Sequence, residues 1–291
     1  MPRFRRYTTI AVRMLALCCL LLPPQLMAEE HELPLLVPDL PPSERTLDPD
    51  FFVQLIHLLQ TQVSHRVLQG SAEPVSRLLQ RLEAGEDACV LGLLRSPQRD
   101  QYAQFVPVAP LLPMQAVIRK NEQSTLVGSP EDWPISIQTL LDNPDLHGVL
   151  IERVYTPALQ QALSDAQATV EFIGGAASSQ RVLAMLERQR GDFTLEFPAV
   201  LQRHYPTAQQ QPFISVPLQE ARELIELGLY CPRSTWGSYS ADALMQASAQ
   251  LAREPAAIIR LVKQAHGRYL HTDDLAQVKR YFAARRQTPA D

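Results

Sequence analysis

Arg99 stands six residues ahead of the aromatic Phe105, behind a Ser96-Pro97 turn. A guanidinium offers a planar fork of donors that meets a carboxylate through two parallel bonds, which a lysine ammonium does not match. The competing reading is a surface arginine paired with Asp100 or a nearby glutamate. Thr156-Pro157 is a second place where chemistry is available. Threonine at an N-cap and proline at the first helical position start a helix, and the free N–H groups there favour a negative partner. The same pair would also serve as a plain cap. Beyond residue 28 the chain has two cysteines, Cys89 and Cys231. In an oxidising compartment they pair, or they lie buried as free thiols. Neither carries a nucleophile signature, and the chain has no G-x-S-x-G, H-E-x-x-H or glycine-rich phosphate loop. The seven histidines are scattered, with His266 and His271 five apart, poor spacing for one helical face. Asp87 and Asp192 read as turn residues at strand entrances. No enzyme activity, metal or cofactor is expected.

Residues 1–28 point to export. Arg3, Arg5, Arg6 and Arg13 precede the apolar run Met14 to Leu22, and the small Ala28 comes just before Glu29-Glu30-His31-Glu32. A basic start, a short apolar core and a small exit residue make a secretory signal. The run is far short of the roughly 20 apolar residues a spanning helix needs. Cys18 would suit a lipid anchor, but the bulky Leu17 before it argues against one. Cleavage near Ala28 and a periplasmic location are therefore expected. Without the four signal arginines, 23 basic residues face 31 acidic ones, a formal charge of −8. Such a surface argues against nucleic acid and anionic lipid as partners. The 46% apolar content fits a globular protein, and no later run is long enough to insert in a membrane.

The elements that must hold these residues alternate along the chain. Leu33 to Pro38 reads as a strand stopped by Pro41-Pro42. Phe51 to Gln60 reads as a helix that is apolar over more than half its surface, with His57 as a surface or packed residue. Val63 to Leu68, Ala88 to Leu94 and the extended run Leu111 to Arg119 are expected strands, and Pro74 to Glu83 a helix. This order implies parallel strands with helices on both faces. Around Arg119-Lys120-Asn121 the chain turns polar. A second set follows, with strands over residues 145–153, 169–173 and 193–197 and helices over 158–165 and 178–189. Pro212 to Pro217 is extended, and residues 218–228 lead back. Helices are expected over 241–252, 255–266 and 272–286.

The segment Leu82 to Phe105, L-E-A-G-E-D-A-C-V-L-G-L-L-R-S-P-Q-R-D-Q-Y-A-Q-F, resembles bacterial periplasmic solute-binding proteins of the family 3 type. Arg99 sits where that family has the arginine that holds a captured amino acid's carboxylate, and Phe105-Val106-Pro107 where it has F-S-x-P. Leu227 to Gly237, L-G-L-Y-C-P-R-S-T-W-G, resembles the family's return strand in a divergent form. The resemblance implies a two-lobed type II periplasmic binding protein, each lobe a mostly parallel α/β sheet flanked by helices. Residues 29–118 and 229–291 would form lobe one and 119–228 lobe two, closing on a small solute about a hinge. Arg99 and Thr156 would then face each other across a polar pocket, one anchor per lobe. In that fold the strand after the second crossover re-enters beside the one holding Cys89, which implies a Cys89–Cys231 disulfide.

The departures from the family pattern also bear on the ligand. Gly92 and Leu94 occupy the strand-edge places of Ser or Thr. Phe197 takes the place of the Asp that holds the α-amino group, with Glu196 one position off. The loop Asp39 to Arg45 has no aromatic to stack on a ligand. Leu94, Glu196 and Phe197 thus join Arg99 and Thr156 as candidate contacts. The expected function is capture of a small carboxylate-bearing, amino-acid-like solute by a monomer that serves an ABC-type importer. The alternative is a degenerate binding module for sensing or protein interaction, with a membrane sensor as partner.

Overall fold

Two five-stranded sheets organise the chain, and they share one pattern of strand order. A computed structural model describes residues 31–40, 46–63, 66–122, 126–153, 155–166, 170–175, 178–207 and 212–287. The expected signal at 1–28 lies outside the described residues, as do positions 41–45 of the first loop.

The first sheet contains β1 (His31–Pro38), β2 (Arg66–Glu73), β3 (Cys89–Leu94), β4 (Ala103–Leu111) and β10 (Ile225–Pro232). Their spatial order is β2-β1-β3-β10-β4. β1 and β3 run parallel, while β10 is antiparallel to both its neighbours. The second sheet contains β5 (Gln115–Arg119), β6 (Gly148–Ile151), β7 (Val170–Ile173), β8 (Phe193–Glu196) and β9 (Phe213–Val216), in the order β7-β6-β8-β5-β9. In the first sheet β1 lies between β2 and β3 with the antiparallel β10 beside β3, and in the second β6 lies between β7 and β8 with the antiparallel β5 beside β8. The α/β expectation of two helix-flanked sheets holds, with both sheets mixed.

Strands β4, β5 and β10 sit differently from the sequence reading. Leu111 to Arg119 is not one extended run: β4 ends at Leu111 in the first sheet, and β5 pairs with β8 and β9 in the second. Pro113 falls in the gap, where no ladder N–H is required. The chain therefore changes sheet at residues 112–114 rather than at 118/119. It returns with β10 at Ile225 rather than at 229. β4 itself was not expected, because it carries Pro107 and Pro110. Prolines are tolerated on an edge strand, and β4 is the edge of its sheet.

The helices are α1 (Pro49–Gln60), α2 (Val75–Glu83), α3 (Gln138–Leu141), α4 (Pro157–Ser164), α5 (Ser178–Glu187), α6 (Pro198–His204), α7 (Thr235–Arg253), α8 (Ala256–His266) and α9 (Thr272–Gln287). Asp48 caps α1, its side chain accepting from the Asp50 N–H with Pro49 in the first turn. Thr156 caps α4 as expected, accepting from the Leu159 N–H. α1, α7 and α8 share one apolar core with the first sheet, and Ala199 of α6 joins that core while Leu201 enters the second sheet's. The turn after α8 reaches across too, since Tyr269 packs in the second sheet's core. Residues from Glu32 onward form one compact unit. No helix among the described residues is long and apolar enough to cross a membrane.

Cys89 and Cys231 form a disulfide with their Cα atoms 4.3 Å apart. Tyr230 pairs with Val90 in the β10–β3 ladder, so the cysteines are the next pair along. Both are fully buried.

Candidate functional site

α1 has more apolar surface than a core helix needs, and the surplus builds the site. Phe51, Leu55 and Leu59 point into the core. The adjoining face, Phe52, Val53 and Ile56, lines a cavity of about 660 Å³. Residues at spacings of three and four share a helix face, so the two sets occupy different arcs of one helix.

The floor of the cavity comes from the first sheet. Leu68, Gly70 and Ala72 line it at period two along β2, as Ile225 and Leu227 do along β10. Two glycines let α1 settle close: a Cβ on Gly70 would meet Ile56 Cδ1 at 3.1 Å, and one on Gly92 would meet the Phe52 ring at 2.8 Å. Gly92 has a second role. In the β3–β10 ladder Leu229 pairs with Leu91 and Gly228 with Leu93, so Gly92 is an extra residue. Its φ of +95° is open to glycine and strained for other residues. This bulge turns the strand, so that Leu93 packs with the α2 side while Leu94 lines the cavity. Re-aiming a side chain beside a site is a recurrent use of bulges.

The second sheet contributes Phe197 to the lining. Phe197 is the N-cap of α6 and its own side chain caps nothing. Its position is fixed from behind. Glu196 accepts the Phe197 N–H at 2.9 Å, and the Arg153 guanidinium lies 5.6 Å from the Phe197 ring centroid. Arg153 in turn donates to Glu196 at 2.9 Å and to the Leu195 carbonyl at 3.1 Å, while Ser179 Oγ donates to Glu196 at 2.7 Å. Burial works against the Arg153 charge, but the Glu196 carboxylate outweighs it and holds the guanidinium above its ordinary pKa. A buried carboxylate with three donors is a structural brace.

The expected site residues are thus divided. Leu94 and Phe197 line the same cavity, whereas Arg99, Thr156 and Glu196 do not. Arg99 donates to the Leu94 carbonyl and lies 5.5 Å from the Tyr230 ring centroid. Its neighbour Asp100 is a hub, accepting from Tyr230 Oη at 2.8 Å and Arg95 Nε at 3.1 Å, with its carbonyl accepting from Arg233 at 2.9 Å. Burial pushes against the Asp100 charge, and the Tyr230 and Arg95 contacts overcome it, so its pKa is lowered. Thr156 Oγ1 contacts the Glu220 carbonyl at 3.4 Å, within the second-sheet half of the chain. Arg99 and Thr156 therefore each make a local contact, while Arg99 Nε is buried without a hydrogen-bond partner among the described residues. Glu196 is committed to Arg153, Ser179 and the Phe197 backbone.

Three contributors escaped the sequence reading. His57 lines the cavity at its exposed edge. Gln60, the last residue of α1, also lines it and accepts the Leu68 N–H at 2.6 Å, joining helix to β2. Arg153 was read only as the end of a strand, and nothing in its local sequence marks its partner 43 residues on.

The chain matches no family model and no curated protein. Solved structures do match. A probable amino-acid ABC transporter extracellular-binding protein, ytmK, from Bacillus subtilis is 16% identical with a TM-score of 0.63, over 82% of this chain and 98% of that one. A putative L-cystine ABC transporter from Listeria monocytogenes is 14% identical with a TM-score of 0.54, over 82% and 97%. A histidine kinase sensor domain with similarity to periplasmic binding proteins is 13% identical with a TM-score of 0.53, also over 82% and 97%. The fold is that of the two-lobed type II periplasmic binding proteins.

Proposed function

We propose that this chain is an exported receptor that captures a small solute in the cavity between α1, the first sheet and Phe197, and presents it to an ABC-type importer. The observation that carries the reading is the cavity itself. Its volume of about 660 Å³ is of small-molecule size, and it is the place where a residue of the second sheet's half closes over the first. The fold, shared with amino-acid ABC transporter binding proteins, supports the same class of function. The signal-like residues 1–28 support delivery to the periplasm. The carboxylate-bearing, amino-acid-like solute suggested by the sequence is less favoured, because among the described residues no arginine or lysine lines the cavity.

A thermal-shift screen against amino acids, organic acids, short peptides and apolar solutes tests capture. A solute at 100 times its dissociation constant should add about 2.7 kcal/mol. Ala72→Trp, at an exposed position on the lining, should fill the mouth and remove the shift. No stabilising solute in any class would overturn the reading. A sensing module is the second reading, favoured by the likeness to a histidine kinase sensor domain. Permease and ATPase genes beside this one would support import, and signalling genes would support sensing.

A further inference from the structure

Resting on that receptor reading, we propose that the captured solute is an uncharged molecule with an apolar body. Phe52, Val53, Ile56, Leu94, Phe197 and Leu227 are among the apolar side chains that line the cavity. Among the described residues the ionisable side chains on the lining are Asp39 and His57, both at the exposed edge. A carboxylate entering the cavity would leave water and find no arginine or lysine among the described lining residues, which is costly when the charge is buried unpaired. An ammonium would find Asp39 only where solvent already competes. Gln60 brings one neutral amide to the lining, and its oxygen already accepts the Leu68 N–H.

Two features at the mouth agree with an apolar occupant. Val53 and Leu94 are 54% and 37% exposed, among the few large apolar side chains on the described surface. Both line the cavity, so a solute seated there would take them out of water. Phe197 faces the cavity where a polar N-cap would suit α6 better, so the helix forgoes a cap to keep an apolar wall.

The test is displacement of the uncharged fluorescent probe N-phenyl-1-naphthylamine from the purified protein. Competitors are octan-1-ol, octanoate and octylammonium, three molecules that differ in headgroup alone, together with L-leucine. The probe should bind, and octan-1-ol should displace it at a concentration about tenfold or more below either ion, with leucine without effect. Val53→Asp and Phe197→Asp should each weaken the probe by about tenfold or more. Val53 is exposed and aspartate is a favoured N-cap, so both variants should fold, which circular dichroism checks. Displacement by leucine or octanoate as efficient as by octan-1-ol overturns the uncharged class and leaves the receptor reading standing. Unchanged probe affinity in both variants overturns the assigned wall. A concentration-dependent dimer that Val53→Asp dissociates would show a second copy covering the mouth, and would overturn the proposal. Absence of any stabilising solute, probe included, removes both readings.

Discussion

Arg153 and Glu196 form an ion pair at 2.9 Å, with the Glu196 side chain completely shielded from solvent and Arg153 22% exposed. The pair sits directly behind Phe197, so one polar contact in the second half of the chain sets one wall of an apolar cavity. Removing one partner of such a pair costs more than replacing both, because it strands a buried charge.

Arg153→Met should therefore destabilise the protein by about 3 kcal/mol. Glu196→Gln added to it should recover at least half of that, since a neutral amide can keep its oxygen on the Phe197 N–H and turn its NH2 to donate to Ser179 Oγ. Urea denaturation of the wild type, Arg153→Met and the double variant gives the comparison. A single variant as stable as the wild type, or a double variant worse than the single, would sink the account.

How far the site was legible follows from what each residue's signal depends on. The apolar excess of α1 was visible as a pattern, because helical periodicity is local, although its use as a wall was not. Phe197 stood out only as a departure from a family pattern, and its place on the lining followed from the second sheet's contact with the first. The Gly92 bulge was invisible, since β3 reads as an unbroken apolar run and the extra residue appears only in its pairing with β10. The return to the first sheet was placed a few residues late, because Glu226 and the residues before it read as polar connection. β4 was hidden by its prolines, whose tolerance depends on being at a sheet edge. Arg99 shows the reverse case: its sequence place matched the family, while its guanidinium lies against Tyr230 and donates to the Leu94 carbonyl. Those partners come from β10 and the strand end, and no spacing rule reports them.

The Cys89–Cys231 bridge closes a loop spanning 142 residues and joins β3, ahead of the second-sheet half, to β10, which follows it. Constraining so long a loop in the unfolded chain is worth about 2 to 4 kcal/mol. Replacing both cysteines by alanine, which suits their buried surroundings, should lower the urea midpoint accordingly. Reductant should lower the wild-type midpoint and leave the variant's unchanged. Peptide mapping without reduction should recover the Cys89 and Cys231 peptides linked. Finding them separate in protein prepared under oxidising conditions would refute the pairing.

His266 ties the C-terminal helices to the first passage between the sheets, and its ring should set an acid limit on stability. It is 1% exposed at the end of α8, with Nδ1 2.8 Å from the Val262 carbonyl and Nε2 3.3 Å from the Leu112 N–H. A neutral ring with its proton on Nδ1 satisfies both contacts, donating to Val262 and accepting from Leu112. A proton on Nε2 would remove the acceptor. Burial pushes the pKa down to about 4, against the opposing pull of the Val262 carbonyl, while in the unfolded chain it lies near 6.5. Between those values the unfolded chain takes up a proton that the folded chain refuses. Stability from this group is thus complete above pH about 6.5 and lost as the pH falls toward 4, with about 2 kcal/mol gone by pH 5. His266→Leu leaves the Leu112 N–H unpaired and should cost about 1 to 3 kcal/mol at pH 7.5. It also abolishes this titration, so the variant should lose about 2 kcal/mol less than the wild type between pH 7.5 and 5. Denaturation curves at the two pH values measure the difference. Equal losses in the two proteins would show that His266 does not carry the acid sensitivity.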